Sequence, residues 1–231
     1  MWKTLPALIV TIAVMGLSGS VFAEHIILND RMVTLEGAIS TKSVSKAVKS
    51  LLEFDAESHE PIWLKIDSYG GSVEAGFVFI DTMKNIKSPI YSLVVSKAYS
   101  MAAIIAIYCD KRYIFRHATM MFHEASYGAL GEDPSIRSRM EFNSRYLDRL
   151  HTEIAKILKM PTKKYRSRIR DAWWVLAEEA VRANFADAVV TRISYHKINK
   201  ETVEIKRSVV KKQRRMVKPT GEGANGVSLS R

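Results

Sequence analysis

The spacing of hydrophobic residues along the chain alternates between a two-residue period and a period of three to four residues, which distinguishes strands from helices. Apolar and polar residues alternate at positions 25–28 and 32–35, which predicts two strands paired across a turn at residues 29–30. Residues 41–54 carry apolar side chains at helical spacing instead and predict the first helix. The globular part of the chain is therefore expected to begin with a strand pair and a helix.

The rest of the pattern alternates short apolar runs with helical stretches. Strands are predicted at residues 62–66, 90–95, 112–115 and 119–123, and a closing hairpin is predicted from residues 188–194 and 202–206. Helices are predicted at residues 73–86, 100–109, 135–160 and 177–183. Strands that alternate with helices indicate an α/β fold with a largely parallel sheet.

Composition narrows the class of protein. The chain has 231 residues, of which 47% are apolar and 26% charged, as expected for one globular domain with extensions. The single cysteine, Cys109, excludes a disulfide scaffold. No apolar run near twenty residues lies beyond the first two dozen positions, which excludes a polytopic membrane protein. The glycine patterns of dinucleotide and nucleotide triphosphate sites are absent from the sequence, so no ATP site is predicted in this chain.

Residues 1–23 have the pattern of a secretory signal peptide. A positive start and a short apolar stretch lead to Val21 and Ala23, the small residues that a signal peptidase accepts before a cleavage point. We expect cleavage before Glu24 and a periplasmic or secreted mature protein, where a lone cysteine suits the oxidising conditions. An uncleaved anchor in the inner membrane and a cytoplasmic protein are the alternatives.

The net charge of +11 is concentrated at the C-terminal end. Residues 197–231 hold ten Lys and Arg against three Glu, which leaves residues 24–196 nearly balanced. We therefore divide the chain into the signal peptide, a domain over residues 24–196 and a basic, partly disordered extension over residues 197–231. No zinc-finger spacing or other nucleic-acid motif accompanies the tail, so nucleic-acid binding is not predicted. Contact of the tail with an anionic surface is the alternative to a solvated extension.

Two turns are candidates for chemistry. Gly70 and Gly71 follow an apolar strand and open a helix, where glycines allow a sharp turn and the close approach of a ligand to backbone N–H groups. Ser100 opens an apolar helix, where free N–H groups beside a hydroxyl favour a nucleophile with an oxyanion site. A plain tight turn and an ordinary helix N-cap are the alternative interpretations.

A serine nucleophile needs a base, and histidine is the usual one because its pKa lies near neutrality. His123, at the end of a predicted strand, is the best placed of the six histidines, although a histidine at a strand end can also be structural. Asp171, followed by two tryptophans, is the candidate acid that would orient the imidazole.

In this order and at this spacing the motifs resemble those of the proteolytic subunit of Clp proteases, a family of serine peptidases. Residues 66–73 are similar to the family's S-P-G-G-S-V signature, residues 98–103 to its nucleophile motif, and residues 120–123 to its M-x-H strand. Asp171 matches the acid that precedes a short aromatic run and an A-x-E-A-V helix. The resemblance extends over residues 31–193, which is most of the mature chain.

The resemblance implies a Clp-protease/crotonase-like α/β fold with repeated ββα units, a largely parallel sheet and a long projecting helix. It implies these site residues: a catalytic triad of Ser100, His123 and Asp171, an oxyanion hole at Gly71 and Met101, and peptide binding along Gly70, Gly71 and Tyr127. It implies polypeptide substrates, no cofactor and no metal. It also implies a homo-oligomer of stacked rings, with the helix at residues 135–160 in the contacts between rings.

The sequence departs from the family pattern in four places. Tyr69 replaces the usual proline of the glycine turn, and Lys97 stands where a neutral polar residue is commoner. Asp171 is one residue further from the helix that follows it than in typical members. A signal peptide is atypical too, because most members are cytoplasmic and work with ATP-driven unfoldases, partners that an exported protein would lack.

Several hypotheses for function therefore remain. The favoured one is an active serine endopeptidase, and a catalytically silent assembly or peptide-binding protein would result if Asp171 is misplaced. Acyl-CoA chemistry, as in the similar crotonase fold, would need no Ser–His pair. A Ser–Lys dyad would use Lys97 as the base, and a cytoplasmic ATP-dependent subunit would result if residues 1–23 are not a signal.

Overall fold

The computed structural model describes residues 23–126, 128 and 130–197. In this part of the chain the strands are β1 (Ala23–Asn29), β2 (Met32–Ile39), β3 (Ile62–Gly71), β4 (Ile90–Tyr99), β5 (Lys111–Phe115), β6 (Thr119–Phe122), β7 (Trp173–Leu176) and β8 (Ala188–His196). The helices are α1 (Thr41–Glu57), α2 (Val73–Asn85), α3 (Met101–Ile107), α4 (Asp133–Ile157), α5 (Thr162–Ile169) and α6 (Ala177–Arg182). The predicted signal peptide up to residue 22, Tyr127, the predicted strand at 202–206 and the extension from residue 198 lie outside the described residues.

The sheet is largely parallel, as predicted. Its strands follow the order β1-β8-β5-β4-β3-β2, and every neighbouring pair in this order is parallel. The first part of β4 pairs with β5, whereas its C-terminal end pairs with β6 in parallel, and β7 adds to β6 antiparallel. The C-terminal ends of β3, β4 and β6 therefore meet at one end of the sheet. The predicted α/β class is confirmed.

The predicted hairpin between the first two strands is wrong. β1 pairs with β8 and β2 pairs with β3, both in parallel, so the two strands lie at opposite edges of the sheet. The physical reason lies just after the predicted turn, where the buried Arg31 donates hydrogen bonds to the carbonyl oxygens of Phe54, Ser58 and Glu60. These bonds fix the start of β2 to the end of α1, and alternation of side chains by itself does not choose a strand's partner.

The core lies between the sheet and the helices on one of its faces. Residues 62–66 of β3 are apolar except for Lys65, as expected for a strand that is covered on both faces. α3 packs against β3 and β4, and its residues from Met101 to Ala103 are fully buried. A second apolar cluster forms around Trp63, whose ring contacts those of Tyr91 and Tyr113. β3 and β4 therefore contribute side chains to both apolar clusters.

The C-terminal third of α4 packs against the domain, whereas the first two turns and most of the middle of the helix are exposed. The buried residues of this 25-residue helix are Leu150, His151, Ile154 and Ala155. The predicted long projecting helix is therefore present.

α5 and β7 were not predicted from the sequence, because each is short and carries several polar or exposed residues. None of the described helices is long and apolar enough to cross a membrane.

Candidate active site

The two glycines at the end of β3 lie against different segments: Gly70 against the turn that carries Ser100, and Gly71 against the end of β2. Gly70 has φ +90°, and a Cβ built on it would lie 2.5 Å from the carbonyl oxygen of Tyr99 and 2.8 Å from Cβ of Ser100. Gly71 has φ +148°, and a Cβ there would lie 2.3 Å from the carbonyl oxygen of Ile39. Both the backbone conformation and the close approach require glycine at these positions. Gly70 therefore allows the close approach of β3 to the start of α3, and Gly71 allows its close approach to the end of β2.

Ser100 has an unusual conformation between β4 and α3. Its φ is +54°, a value that costs energy for any residue with a side chain. The backbone holds this conformation, since the N–H of Ser100 donates to the carbonyl oxygen of Met121 at 2.8 Å and its own carbonyl accepts from the N–H of Ile104. The hydroxyl does not cap the helix. Ser100 therefore stands at the N-cap position without the capping hydrogen bond of an ordinary N-cap serine, and its Oγ is free for another partner.

That partner is His123. Its Nε2 lies 2.8 Å from Oγ of Ser100, a hydrogen-bond distance. The register of the sheet creates this contact, because Tyr99 at the end of β4 pairs with Met121 in β6, and Ser100 and His123 follow these two residues closely. A neutral imidazole at this distance can accept the proton of a serine hydroxyl. The structure thus brings together the predicted nucleophile and the predicted base.

One of the two residues predicted for the oxyanion hole, Met101, directly follows Ser100. Met101 is the first residue of α3, where backbone N–H groups have no acceptor within the helix. A Cβ on Gly70 would lie 3.0 Å from the nitrogen of Met101, so the end of β3 passes directly by the start of this helix. N–H groups in such a position can stabilise a negatively charged oxygen. The assignment of Gly71 and Met101 as the oxyanion hole stays a prediction.

The structure does not bring Asp171 to His123. The side chain of Asp171 is 76% exposed, and its carboxylate accepts hydrogen bonds from Nε and Nη2 of Arg170 at 3.2 and 2.9 Å. These bonds, and the charge of Arg170, lower the pKa of the Asp171 carboxyl. No hydrogen bond joins the two predicted triad members in the described part of the chain. The physical reason is the turn between α5 and β7, where Ala172 has φ +62° and Asp171 is left at the surface.

Replacing Asp171 with asparagine is therefore expected to change turnover by less than about threefold, since the carboxylate contacts Arg170 instead of the imidazole. Loss of an orienting acid from a triad costs about 10⁴-fold in turnover, because the imidazole adopts the wrong tautomer. Steady-state hydrolysis of a fluorogenic peptide separates these two values clearly. A loss near the larger value would show that Asp171 moves to His123 in the working enzyme.

Lys97, the base of the alternative Ser–Lys dyad, is engaged elsewhere. Its Nζ donates to Oδ1 of Asp67 at 2.7 Å and lies 4.5 Å from the centre of the Tyr69 ring. The hydrogen bond to Asp67 raises the pKa of Lys97, which favours the charged ammonium over the neutral amine that a base must be. This geometry favours His123 as the base. It also gives Tyr69, which replaces the family's proline, a contact with Lys97.

The comparison with known families agrees with this geometry. A family model described as Clp protease matches residues 20–193, about three-quarters of the chain. The chain belongs to the Clp protease family. The predicted family and the predicted fold class are thereby confirmed, and the crotonase alternative is not supported by the match.

Two residues that contact each other, His151 and Glu124, were missed in the sequence. His151 was set aside as a residue of a polar helix, but its side chain is buried and contacts Glu124, the residue after His123. A signal was present, because His151 lies on the same helical face as Leu147 and Ile154. Among the described residues no group of three or more His, Cys, Asp or Glu side chains could hold a metal ion.

Proposed function

We propose that this Clp protease family member hydrolyses peptide bonds as a serine endopeptidase, with Ser100 as the nucleophile and His123 as the base. The observation that supports this proposal is the 2.8 Å contact between Oγ of Ser100 and Nε2 of His123 at a strained serine in front of a buried helix. A strained residue that the surrounding structure holds in place is typical of functional sites.

The proposed reaction proceeds in two acyl-transfer steps. Nε2 of His123 takes the proton of the Ser100 hydroxyl while Oγ forms a bond to the carbonyl carbon of the peptide. N–H groups at Gly71 and Met101 would stabilise the oxyanion of the tetrahedral intermediate. The protonated imidazole then gives its proton to the leaving amine as the peptide C–N bond breaks. Water, activated by the same imidazole, releases the acyl group from Ser100 in the second step.

The experiment that tests the proposal treats the purified mature protein with a fluorophosphonate probe and locates the adduct by mass spectrometry. We expect the probe on Ser100 and parallel loss of peptide hydrolysis. An adduct on another serine would contradict the assignment of Ser100 as the nucleophile.

A catalytically silent peptide-binding or assembly protein is the second candidate, and the position of Asp171 favours it. An imidazole without an orienting acid activates serine less effectively, so the pair at Ser100 and His123 can exist without useful turnover. The same probe separates the two candidates. An active peptidase reacts at Ser100, whereas a silent homologue remains unlabelled.

We propose further that α4 carries contacts between subunits of a ring-shaped homo-oligomer that encloses the sites. The apolar residues of this helix fall into two groups, because Leu150 and Ile154 are buried in the subunit's own core whereas Met140 is 50% exposed. Phe142 is 57% exposed as well and stacks on Tyr146, with ring centroids 6.0 Å apart. Exposed apolar groups on a projecting helix are typical of a surface that another subunit covers.

Substituting glutamate for both Met140 and Phe142 is therefore expected to split the assembly into smaller species. The exposed half of α4 is the right place for this test, because glutamate at Leu150 would unfold the subunit by placing a charge in its core. Analytical ultracentrifugation measures the mass of both forms. The control is glutamate at the exposed Arg139 of the same helix, which should leave the mass unchanged. An unaltered protein that sediments as a monomer would contradict the assembly.

Export after signal-peptide cleavage is also a proposal, and it expects a periplasmic or secreted protein that begins at Glu24. Cleavage after Ala23 would leave nearly all of β1, whose residues pair with β8. Burial raises the pKa of the Cys109 thiol to about 12, so this thiol stays protonated and unreactive in an oxidising compartment. Mass spectrometry of the N-terminal peptide in each cell fraction measures the outcome. An intact Met1 in the cytoplasmic fraction would contradict export and favour an ATP-dependent partner.

A further inference from the structure

A buried histidine outside the proposed catalytic pair lies against the residue that follows the base. The side chain of His151, in α4, is only 3% exposed, and its Nε2 lies 2.9 Å from Oε2 of Glu124. The two atoms are in close polar contact, although the contact is not aligned as a hydrogen bond, and Nδ1 of the same ring is buried without a partner among the described residues. The proposed chemistry at Ser100 uses neither residue.

The second oxygen of Glu124 is contacted from another helix. Nε of Arg166, in α5, lies 3.6 Å from Oε1 of Glu124, and the same guanidinium forms an ion pair with Asp148 of α4. The buried ring of Tyr165 packs beside that of His151, with centroids 5.8 Å apart. The Glu124 carboxylate is therefore in contact with side chains of both α4 and α5, and these two helices pack against each other.

The ionisation of this cluster is compatible with a permanent contact at neutral pH. Burial lowers the pKa of His151, and the nearby Glu124 carboxylate only partly opposes that effect. The imidazole is therefore neutral at pH 7, and it contacts Glu124 as a polar group without a charge. The negative charge of Glu124 is balanced by Arg166 instead.

The chain around His123 shows why this contact matters. Before His123, β6 is fixed by β4 and β7, but residues 123–126 belong to neither a strand nor a helix. The contacts of Glu124 thus hold the chain directly after His123, where the strand pairing has ended. Asp171 does not contact the imidazole in the described structure, so the direction of the His123 ring depends on how the chain is held on its two sides.

We propose that Glu124, held by His151 and Arg166, is a positioning residue that keeps His123 directed at Ser100; this inference rests on the proposed function. The anchor acts through the backbone that the two neighbouring residues share. When it is lost, residues 123–126 gain freedom and a smaller fraction of molecules has the 2.8 Å contact between Nε2 and Oγ. A displacement of about 1 Å in such a pair can cost on the order of 10²-fold in rate.

The experiment measures three quantities for each variant: the rate constant of Ser100 labelling by a small fluorophosphonate, kcat and KM for a fluorogenic peptide, and the melting temperature. Glu124→Ala is expected to lower the labelling rate and kcat by about 10- to 100-fold while KM changes by less than about threefold. The matched control is Glu178→Ala, because Glu178 is equally exposed, at 34% against 37%, and pairs with Arg116. This control should keep the labelling rate of the unaltered protein.

His151→Phe supplies a second, independent variant. It removes the contact from the other side, and the double variant with Glu124→Ala should lose no more labelling rate than the worse single variant, since both act through one contact. His151→Gln, which keeps an N–H donor of similar reach, should recover at least part of the rate. If the melting temperature of a variant falls, its rates are divided by the concentration of folded protein at the assay temperature.

Several results would overturn the inference. Unchanged labelling and kcat in Glu124→Ala would show that the contact does not position His123, and a rise of KM alone would show that Glu124 contacts substrate. Labelling without peptide hydrolysis in the unaltered protein would refute the proposed function, while the labelling rates would still test the positioning role. If Ser100 of the unaltered protein does not react at all, both proposals are wrong.

Discussion

Ser100→Ala is expected to abolish peptide hydrolysis, with a loss of at least about 10⁴-fold in kcat, and to remove fluorophosphonate labelling completely. The methyl group has no oxygen to attack a carbonyl, and His123 then has no proton to accept. Because the hydroxyl of Ser100 does not cap α3, its removal takes no hydrogen bond away from the helix. The free energy of unfolding is therefore expected to change by less than about 0.5 kcal/mol.

The matched control is Ser40→Ala, at the start of α1. Ser40 is a true N-cap, since its hydroxyl accepts from the N–H of Ser43 at 3.2 Å. Its replacement should destabilise the protein by about 1 kcal/mol and leave labelling of Ser100 unchanged. Ser100→Ala should thus abolish activity and leave stability nearly unchanged, whereas Ser40→Ala should lower stability and leave labelling unchanged. Residual hydrolysis in Ser100→Ala beyond that of a buffer control would mean that another group performs the attack.

The pair at the centre of the site could be predicted from the sequence because local features specify it. A serine between an apolar strand and a buried helix, and a histidine at the end of the next strand but one, are brought together when β4 and β6 pair in register. The two glycines follow the same logic, since they are required wherever a backbone passes close to another chain segment. The site residues that lie at the ends of strands could therefore be predicted from the sequence.

The acid was not within reach, because its position depends on the path of the chain through α5 and the turn at Ala172. Sequence spacing places Asp171 in the right part of the chain but does not say whether its side chain points to the core or the surface. The burial of His151 was missed for a different reason. A histidine among charged residues suggests an exposed helix, and the signal from its helical face, shared with Leu147 and Ile154, was overlooked; the packing of α4 on α5 buries it.

The sheet shows the same division between local and long-range information. Strand positions and the α/β class follow from hydrophobic spacing and from the alternation of strands with helices. Strand partners do not, as the wrong hairpin of β1 and β2 shows, because buried Arg31 binds carbonyl groups about 25 residues further along the chain. Which apolar residues of α4 are buried likewise depends on where the domain surface ends along the helix, since Leu150 and Ile154 are buried and Met140 is exposed.

Gly70→Ala is expected to lower peptidase activity by at least about 10²-fold, although Gly70 carries no reacting group. The new methyl group would lie within 2.5–3.0 Å of Tyr99, Ser100 and Met101, atoms of the turn that holds the nucleophile. Two of these contacts are with backbone atoms, which cannot rotate away, so β3 and the start of α3 must separate. That movement shifts Oγ of Ser100 from His123 and the N–H of Met101 from β3. The rate of Ser100 labelling measures the loss.

Gly37→Ala separates this effect from the cost of the backbone conformation itself. Gly37 also has a positive φ, at +69°, but a Cβ there meets no atom within 4 Å. Alanine at this position should therefore destabilise the protein by about 1–2 kcal/mol and leave the labelling rate unchanged. Gly70→Ala should lose more stability, because the close contacts add about 1–3 kcal/mol to the same conformational cost. Equal labelling rates in the two variants would show that the approach of β3 to the Ser100 turn does not control the site.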